Sequence, residues 1–169
     1  MAEHVGVPAI STGAIFRDNV ARQTELGQVV SRLMAAGELV PDEVTVRIVA
    51  DRLGEADTAA GFLLDGFPRT VAQAEALDEL LAAAGRPLHA VLSLAVDEDQ
   101  LVARMLKRAE LEGRADDNEE SIRRRFAVYA AETAPLLERY RDRGLLVEVD
   151  GLGAVDEVFD RITAALPQP

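Results

Sequence analysis

The chain of 169 residues has no cysteine, only two histidines and few aromatics, and one of its eighteen basic residues is lysine. Without thiols there are no disulfides, no thiolate-bound metals and no cysteine nucleophile. His4 and His89 stand alone in sequence, so surface or satisfied structural roles suit them better than catalysis. No long apolar run and no signal-type start occurs, which points to a soluble cytoplasmic protein. Net charge is −12, and an acidic surface repels nucleic acid and anionic membrane at long range. A small anion is still admissible where arginines converge, because seventeen of the basic residues carry guanidinium forks that match phosphate oxygens.

What is present fits one compact domain. Apolar residues make up 49% of the sequence, enough at this length for a single core. Short β-like runs alternate with amphipathic segments. Val7 to Ile10 reads as a first strand, and Ser11-Thr12-Gly13 opens a helix to about Arg22. A second helix from Glu25 to Ala36 is closed by Gly37. A third begins at Pro41-Asp42, with Val46, Val49, Ala50 and Leu53 at helical spacing. These helices form a flap over about 12–54. A strand at Gly61 to Asp65 precedes a helix with Leu77, Leu80, Leu81 and Ala84 on one face, then a strand at Ala90 to Val96. Asp97 and Gln100 form a capping pair. After Asn118 a long helix buries Ile122, Phe126, Tyr129, Leu137 and Tyr140, with a kink at Pro135. Leu145 to Val149 is the last strand, and a closing helix turns Val155, Val158, Phe159, Ile162 and Leu166 inward. Alternation of this kind predicts an α/β fold, a parallel sheet flanked by helices.

The segment Gly61-Phe62-Leu63-Leu64-Asp65-Gly66-Phe67-Pro68-Arg69-Thr70 carries the strongest chemical signal. Its apolar run suits a strand covered on both faces, Gly66 lets backbone approach a ligand, and Pro68 disfavours helix at Phe67. The strand thus delivers a carboxylate and a guanidinium to the crevice at its carboxyl end.

Arg104 and Arg108 share a helix face, where like charges repel unless an anion lies between them. Arg114 follows in Arg114-Ala115-Asp116-Asp117, and Arg125 neighbours Arg123 and Arg124. A solvated face laced with Glu110, Glu112, Glu119 and Glu120 is the alternative. Thr70-Val71-Ala72-Gln73 fits a capping box, and Thr12 and Arg17 fit a cap and a surface charge.

Ser11-Thr12-Gly13-Ala14-Ile15-Phe16-Arg17, Gly37-Glu38-Leu39-Val40-Pro41-Asp42, Gly61 to Gln73, and Arg114 to Arg125 with Ala134-Pro135-Leu136-Leu137 together resemble bacterial adenylate kinases in order and spacing. The resemblance implies the nucleoside monophosphate kinase fold and reversible phosphoryl transfer between ATP and AMP. By it, Thr12, Arg17, Arg69 and Gln73 would hold AMP, with Leu39, Val40 and Gly66 around the nucleoside. Arg104 and Arg108 would meet the ATP phosphates, Gly153 would lie near the ATP base, and Arg114 and Arg125 would bridge donor and acceptor. Asp65 would act on Mg2+ through water. Asp116 and Asp117 would belong to a short lid at about 109–116, which Asp116 would help to close and which has no cysteine or histidine for zinc.

The family begins with a strand and a Gly-rich loop that the resemblance places before Ala2-Glu3-His4. No G-x-x-x-x-G-K-[ST] occurs in these 169 residues, and Lys107 follows no glycine loop. The expectations are a gap in the sheet, open strand edges able to self-associate, and no turnover by the chain as given. Ala14 stands where the family carries an acid. Three readings follow: an adenylate kinase starting upstream of Met1, an inactive AMP-binding or regulatory relative, and a kinase for another nucleoside monophosphate.

Overall fold

The computed structural model describes residues 1–114 and 116–166. A short helix α1 (Ala2–Val5) leads into strand β1 (Ala9–Ser11). Helices α2 (Thr12–Ala21), α3 (Glu25–Ala36) and α4 (Asp42–Leu53) follow, and a 3-10 turn at Ala56–Thr58 precedes β2 (Leu63–Asp65). Then come α5 (Val71–Ala83), β3 (Val91–Ala95), α6 (Glu98–Glu112), α7 (Glu119–Val128), α8 (Pro135–Asp142), β4 (Leu146–Asp150) and α9 (Val155–Ala165). The mixed α/β class and the parallel strand direction anticipated from the alternation are both found.

Helix ends fall where side-chain oxygens can replace the missing backbone acceptors. Ser11, Thr24, Thr70, Asp97 and Asn118 each accept from a backbone N–H one turn on. Gly37 closes α3 with φ of 71°, a conformation that glycine adopts without Cβ strain.

Instead of one continuous sheet, the described strands form two parallel pairs, β1 with β2 and β3 with β4. Helix α5 spans both. Its Leu77 and Leu81 pack with Val49 and Phe67 beside the first pair. Its Ala74 packs with Leu136 and Tyr140 beside the second. A separate cluster of Phe16, Val30 and Val40 holds α2, α3 and the entry to α4 together. A Cβ on Gly27 would collide with the Asn19 carbonyl, so a glycine there lets α3 cross α2 closely.

Four packing expectations need correction. Leu63 and Leu64 are half-buried, not enclosed on both faces, and Leu92 and Leu94 of β3 are exposed. Among the described residues each strand is paired on one edge only, so fewer neighbouring elements cover it. Along the long helix, Ile122 and Tyr140 are buried, whereas Tyr129 is 46% exposed, and Leu136 replaces Leu137 in the core. A π-helical turn at Tyr129–Thr133 inserts a residue into the helical repeat and rotates the apolar stripe, ahead of Pro135 at the start of α8. Val155, in the first turn of α9, is 85% exposed, whereas Ile162, two turns on, is buried. Ala84, placed on the inner face of α5, is the exposed C-cap residue of that helix.

Candidate functional site

The carboxyl end of β2 delivers Asp65, and the following turn folds Arg69 back over it. Gly66, with φ of 75°, is the pivot. Its carbonyl accepts from Thr12 Oγ1 at 3.0 Å and from Arg69 Nε at 3.0 Å. A Cβ on Gly66 would lie 3.0 Å from Arg69 Nη2 and 3.1 Å from Thr12 Oγ1. Thr12 is therefore a buried donor, and Ser11 is the residue that caps α2. Thr133, on the π-helical turn, donates to the Arg69 carbonyl at 2.8 Å and so fixes Arg69 from the opposite side.

Arginines from four elements meet here. Burial and the neighbouring Arg125, opposed by Asp65, lower the pKa of Arg69, with Arg17 adding to the shift. Its side chain still reaches solvent, as a guanidinium lining a wet, concave cleft would. Burial first, then Arg114, lower the pKa of Arg17; Asp116 opposes them, and Arg108 and Asp117 act in opposite senses more weakly. Five cations thus share one field: Arg17, Arg69, Arg108, Arg114 and Arg125. Such a convergence of guanidinium groups suits an anion.

Asp116 and Asp117 supply part of the balancing charge. Asp117, its side chain wholly buried, accepts from Arg108 Nε at 3.1 Å and Nη2 at 2.6 Å, and from Arg125 Nη1. These donors hold its carboxyl below the ordinary value in spite of the burial, the largest influence and an opposing one. Asp116 accepts from Arg125 Nη2 at 3.0 Å and lies 4.0 Å from Arg17. Arg114 pairs with Glu112 at 2.6 Å.

Arg104 does not join this group. It donates to the carbonyls of Gly151 at 3.1 Å and Gly153 at 3.4 Å, so Arg104 and Gly153 lie together at the end of β4. A depression of about 360 Å³ beside them is lined by Ala95, Asp97, Glu148, Asp150 and Leu152. Its acidic rim disfavours phosphate, which the arginine cleft suits far better.

Gln73 is 2% exposed, and its carboxamide is engaged at both ends. Oε1 accepts from the Arg69 backbone N–H at 2.7 Å, and Nε2 donates to Asp42 at 2.7 Å. Its backbone N–H is capped by Thr70 at 3.2 Å, so only half of the capping box forms. Val40 lies in the core with Phe16 and Val30, and Leu39 beside it is half-buried. Asp42 was legible in sequence only as an acid in a helix first turn, where it also suits the dipole. Nothing in the sequence named Thr133 as a partner of Arg69. The segment 109–112 is the last turn of α6, and the non-helical connection begins at Gly113.

The adenylate kinase family model matches residues 1–145. The chain belongs to the adenylate kinase family. It is 58% identical over 166 residues to an adenylate kinase of Clavibacter michiganensis subsp. michiganensis, covering 98% of this chain and 83% of that one. Identity is 57% with the adenylate kinase of Nocardioides sp., over 98% of this chain and 87% of the relative. The adenylate kinase of Leifsonia xyli subsp. xyli is 56% identical over 96% of this chain and 82% of its own length. Family membership accounts for the order of the motifs, while the convergence of arginines from α2, the β2–α5 turn, α6 and α7 is a property of this fold.

Proposed function

We propose that the arginine cleft serves reversible phosphoryl transfer between ATP and AMP, giving two ADP, in a cytoplasmic nucleotide-metabolising enzyme. The meeting of Arg17, Arg69, Arg108, Arg114 and Arg125 beside Asp65 carries this reading. Phosphoryl transfer asks little covalent chemistry of a protein; alignment and stabilisation of charge on the transferring group dominate. Arg17, Arg69 and Thr12 hold the acceptor monophosphate, with Gln73, Leu39, Val40 and Gly66 around its nucleoside. Arg114 and Arg125 bridge to the donor and Arg108 meets the donor phosphates, which Arg104 would join only on releasing the Gly151 and Gly153 carbonyls, and Gly153 lies toward the donor base.

The flap spans about 12–54 and the short lid about 109–116. As substrate phosphates enter, they take over the guanidinium donors that Asp116, Asp117 and Glu112 occupy, and closure excludes water that would hydrolyse the donor. Asp65 is exposed at a strand end, and no group of three metal-ligating residues occurs among the described residues. One carboxylate acting through water suits Mg2+, which keeps most of its waters and takes the rest of its ligands from phosphate. When bound, Mg2+ would neutralise phosphate charge; no protein-only cage is needed. No helix among the described residues is long and apolar enough to cross a membrane.

The lack of a G-x-x-x-x-G-K-[ST] within the 169 residues, with Ala14 in place of an acid, favours a second reading in which the chain as given binds AMP without turnover. The backbone nest and lysine of such a loop would cradle the donor β-phosphate. The arginines clamp phosphate whatever the base, so this cleft alone would also suit another nucleoside monophosphate.

Calorimetry and a coupled ADP assay test these readings together. The chain as given is expected to bind AMP and to form no measurable ADP from ATP plus AMP. Arg69→Ala is expected to weaken AMP by about 1.5–3 kcal/mol, the range for a charge-assisted contact. Robust ADP formation would refute the second reading, and AMP binding indifferent to Arg69→Ala would refute the pocket.

A further inference from the structure

Gln73 differs from the other residues assigned to the acceptor. It is neutral, so it is poorly suited to clamp phosphate and well suited to a heterocycle edge that both donates and accepts. A carboxamide offers two N–H donors and two lone pairs. One lone pair takes the Arg69 backbone N–H at 2.7 Å, and one N–H goes to Asp42 Oδ1 at 2.7 Å. A backbone N–H can only donate and an ionised carboxylate can only accept, so these two partners leave the amide a single orientation. Asp42 is itself held, since Thr70 Oγ1 donates to its other oxygen at 3.0 Å.

We propose that Asp42 sets the acceptor-base preference by pinning the Gln73 amide. With Nε2 and Oε1 fixed in place, Gln73 has one N–H and one lone pair left, in a fixed order. That order can match the adenine edge, where an exocyclic amino donor lies beside a ring-nitrogen acceptor. Hypoxanthine puts a carbonyl acceptor in place of the amino group. An amide free to turn over pairs with either base; a pinned one faces one of them with like against like. Asp42 touches no nucleotide in this scheme and is a positioning residue acting through Gln73. The inference rests on the acceptor-site reading above.

Calorimetric titration of AMP and IMP into wild type, Asp42→Asn and Thr70→Val tests it. Asparagine at position 42 can turn its own amide to accept or donate, so one of the two partners that fix the orientation is lost and the Arg69 backbone N–H alone remains to favour it. Wild type is expected to prefer AMP over IMP by at least about tenfold, the scale of one charge-assisted hydrogen bond. Asp42→Asn is expected to bring the two within about threefold. Thr70→Val removes the other hydrogen bond to Asp42 and the cap on the Gln73 backbone N–H but leaves the bond between Asp42 and the Gln73 side chain in place, and its ratio is expected to stay near that of wild type. A merely structural role for Asp42 would weaken both nucleotides together and leave the ratio unchanged, which would overturn the proposal, as would equal affinities in wild type.

A measurement on wild type alone removes dependence on variant folding. One side-chain amide proton of Gln73 is expected to exchange with solvent at least about tenfold more slowly than those of exposed Gln28; equal rates would overturn the pin. Loss of AMP binding in wild type, or AMP binding indifferent to Arg69→Ala, would instead sink the acceptor-site reading, and the Arg69 comparison reports on that without involving Asp42.

Discussion

Arg108 grips a single oxygen of Asp117 with two donors, Nε at 3.1 Å and Nη2 at 2.6 Å, while Arg125 takes the other oxygen. A fully buried carboxylate thus stands between two guanidinium groups in the cleft where phosphate is expected. Its charge offsets repulsion that the arginines would otherwise feel.

Asp117→Asn keeps the shape and removes that charge, and is expected to destabilise the chain by about 1–3 kcal/mol, moderated by the partial hydration of both arginines. The pH dependence has a definite sign. The folded-state pKa of Asp117 lies below 3.8, so its contribution is fully present above the unfolded value of about 3.9 and fades as pH falls through the lower folded value. Thermal unfolding of wild type and variant is expected to show a constant gap from about pH 5 to 8 that narrows below about pH 4. A gap that widened in acid would contradict the assignment.

Gly66→Ala is expected to act on stability and on binding at once. The residue sits at φ of 75°, and the new methyl would press on Arg69 Nη2 and Thr12 Oγ1. A cost of about 1–3 kcal/mol follows from the backbone strain, read as a lower unfolding midpoint. AMP affinity should fall too, because the guanidinium must move. A variant with normal AMP affinity would show that Gly66 does not position Arg69.

Gly37 packs directly on the backbone of Ser121, so that a Cβ there would overlap the Ser121 carbonyl oxygen. Nearby, Arg124 and Glu38 pair at 3.4 Å. Gly37→Ala is expected to cost more than about 1 kcal/mol, since φ of 71° and the overlap act together. Amide hydrogen exchange in the first turn of α7 should quicken with it. Unchanged protection there would mean that α3 and α7 are not held by this contact.

Salt offers a check that needs no mutation. The arginines of the cleft are only partly buried, so their attraction for a dianionic monophosphate is screened as the Debye length shrinks from about 10 Å at 0.1 M to about 3 Å at 1 M. AMP affinity is expected to drop steadily across that range; an affinity independent of salt would point to apolar binding.

Much of the molecule could be read locally. Gly37 marks the end of α3, and Asp97 and Asn118 start α6 and α7, because a cap is satisfied within a few residues of itself. The β2 strand and its Asp65-Gly66 exit were legible for the same reason. The fate of Gln73 was not: its partner Asp42 lies 31 residues away, and nothing in either segment names the other. The stripe on the long helix went astray at Tyr129 because a π turn shifts the helical phase without any proline or glycine inside it.

Element order, strand direction, helix caps and the choice of arginine over lysine are therefore written in the chain itself, since each depends on backbone geometry or side-chain chemistry over a few residues. Which guanidinium meets which carboxylate, and which amide face turns toward a ligand, was decided only when distant segments packed together. Hydrogen-bond partners across 28 to 86 residues are selected by burial and chain return, and those are properties of the folded molecule as a whole.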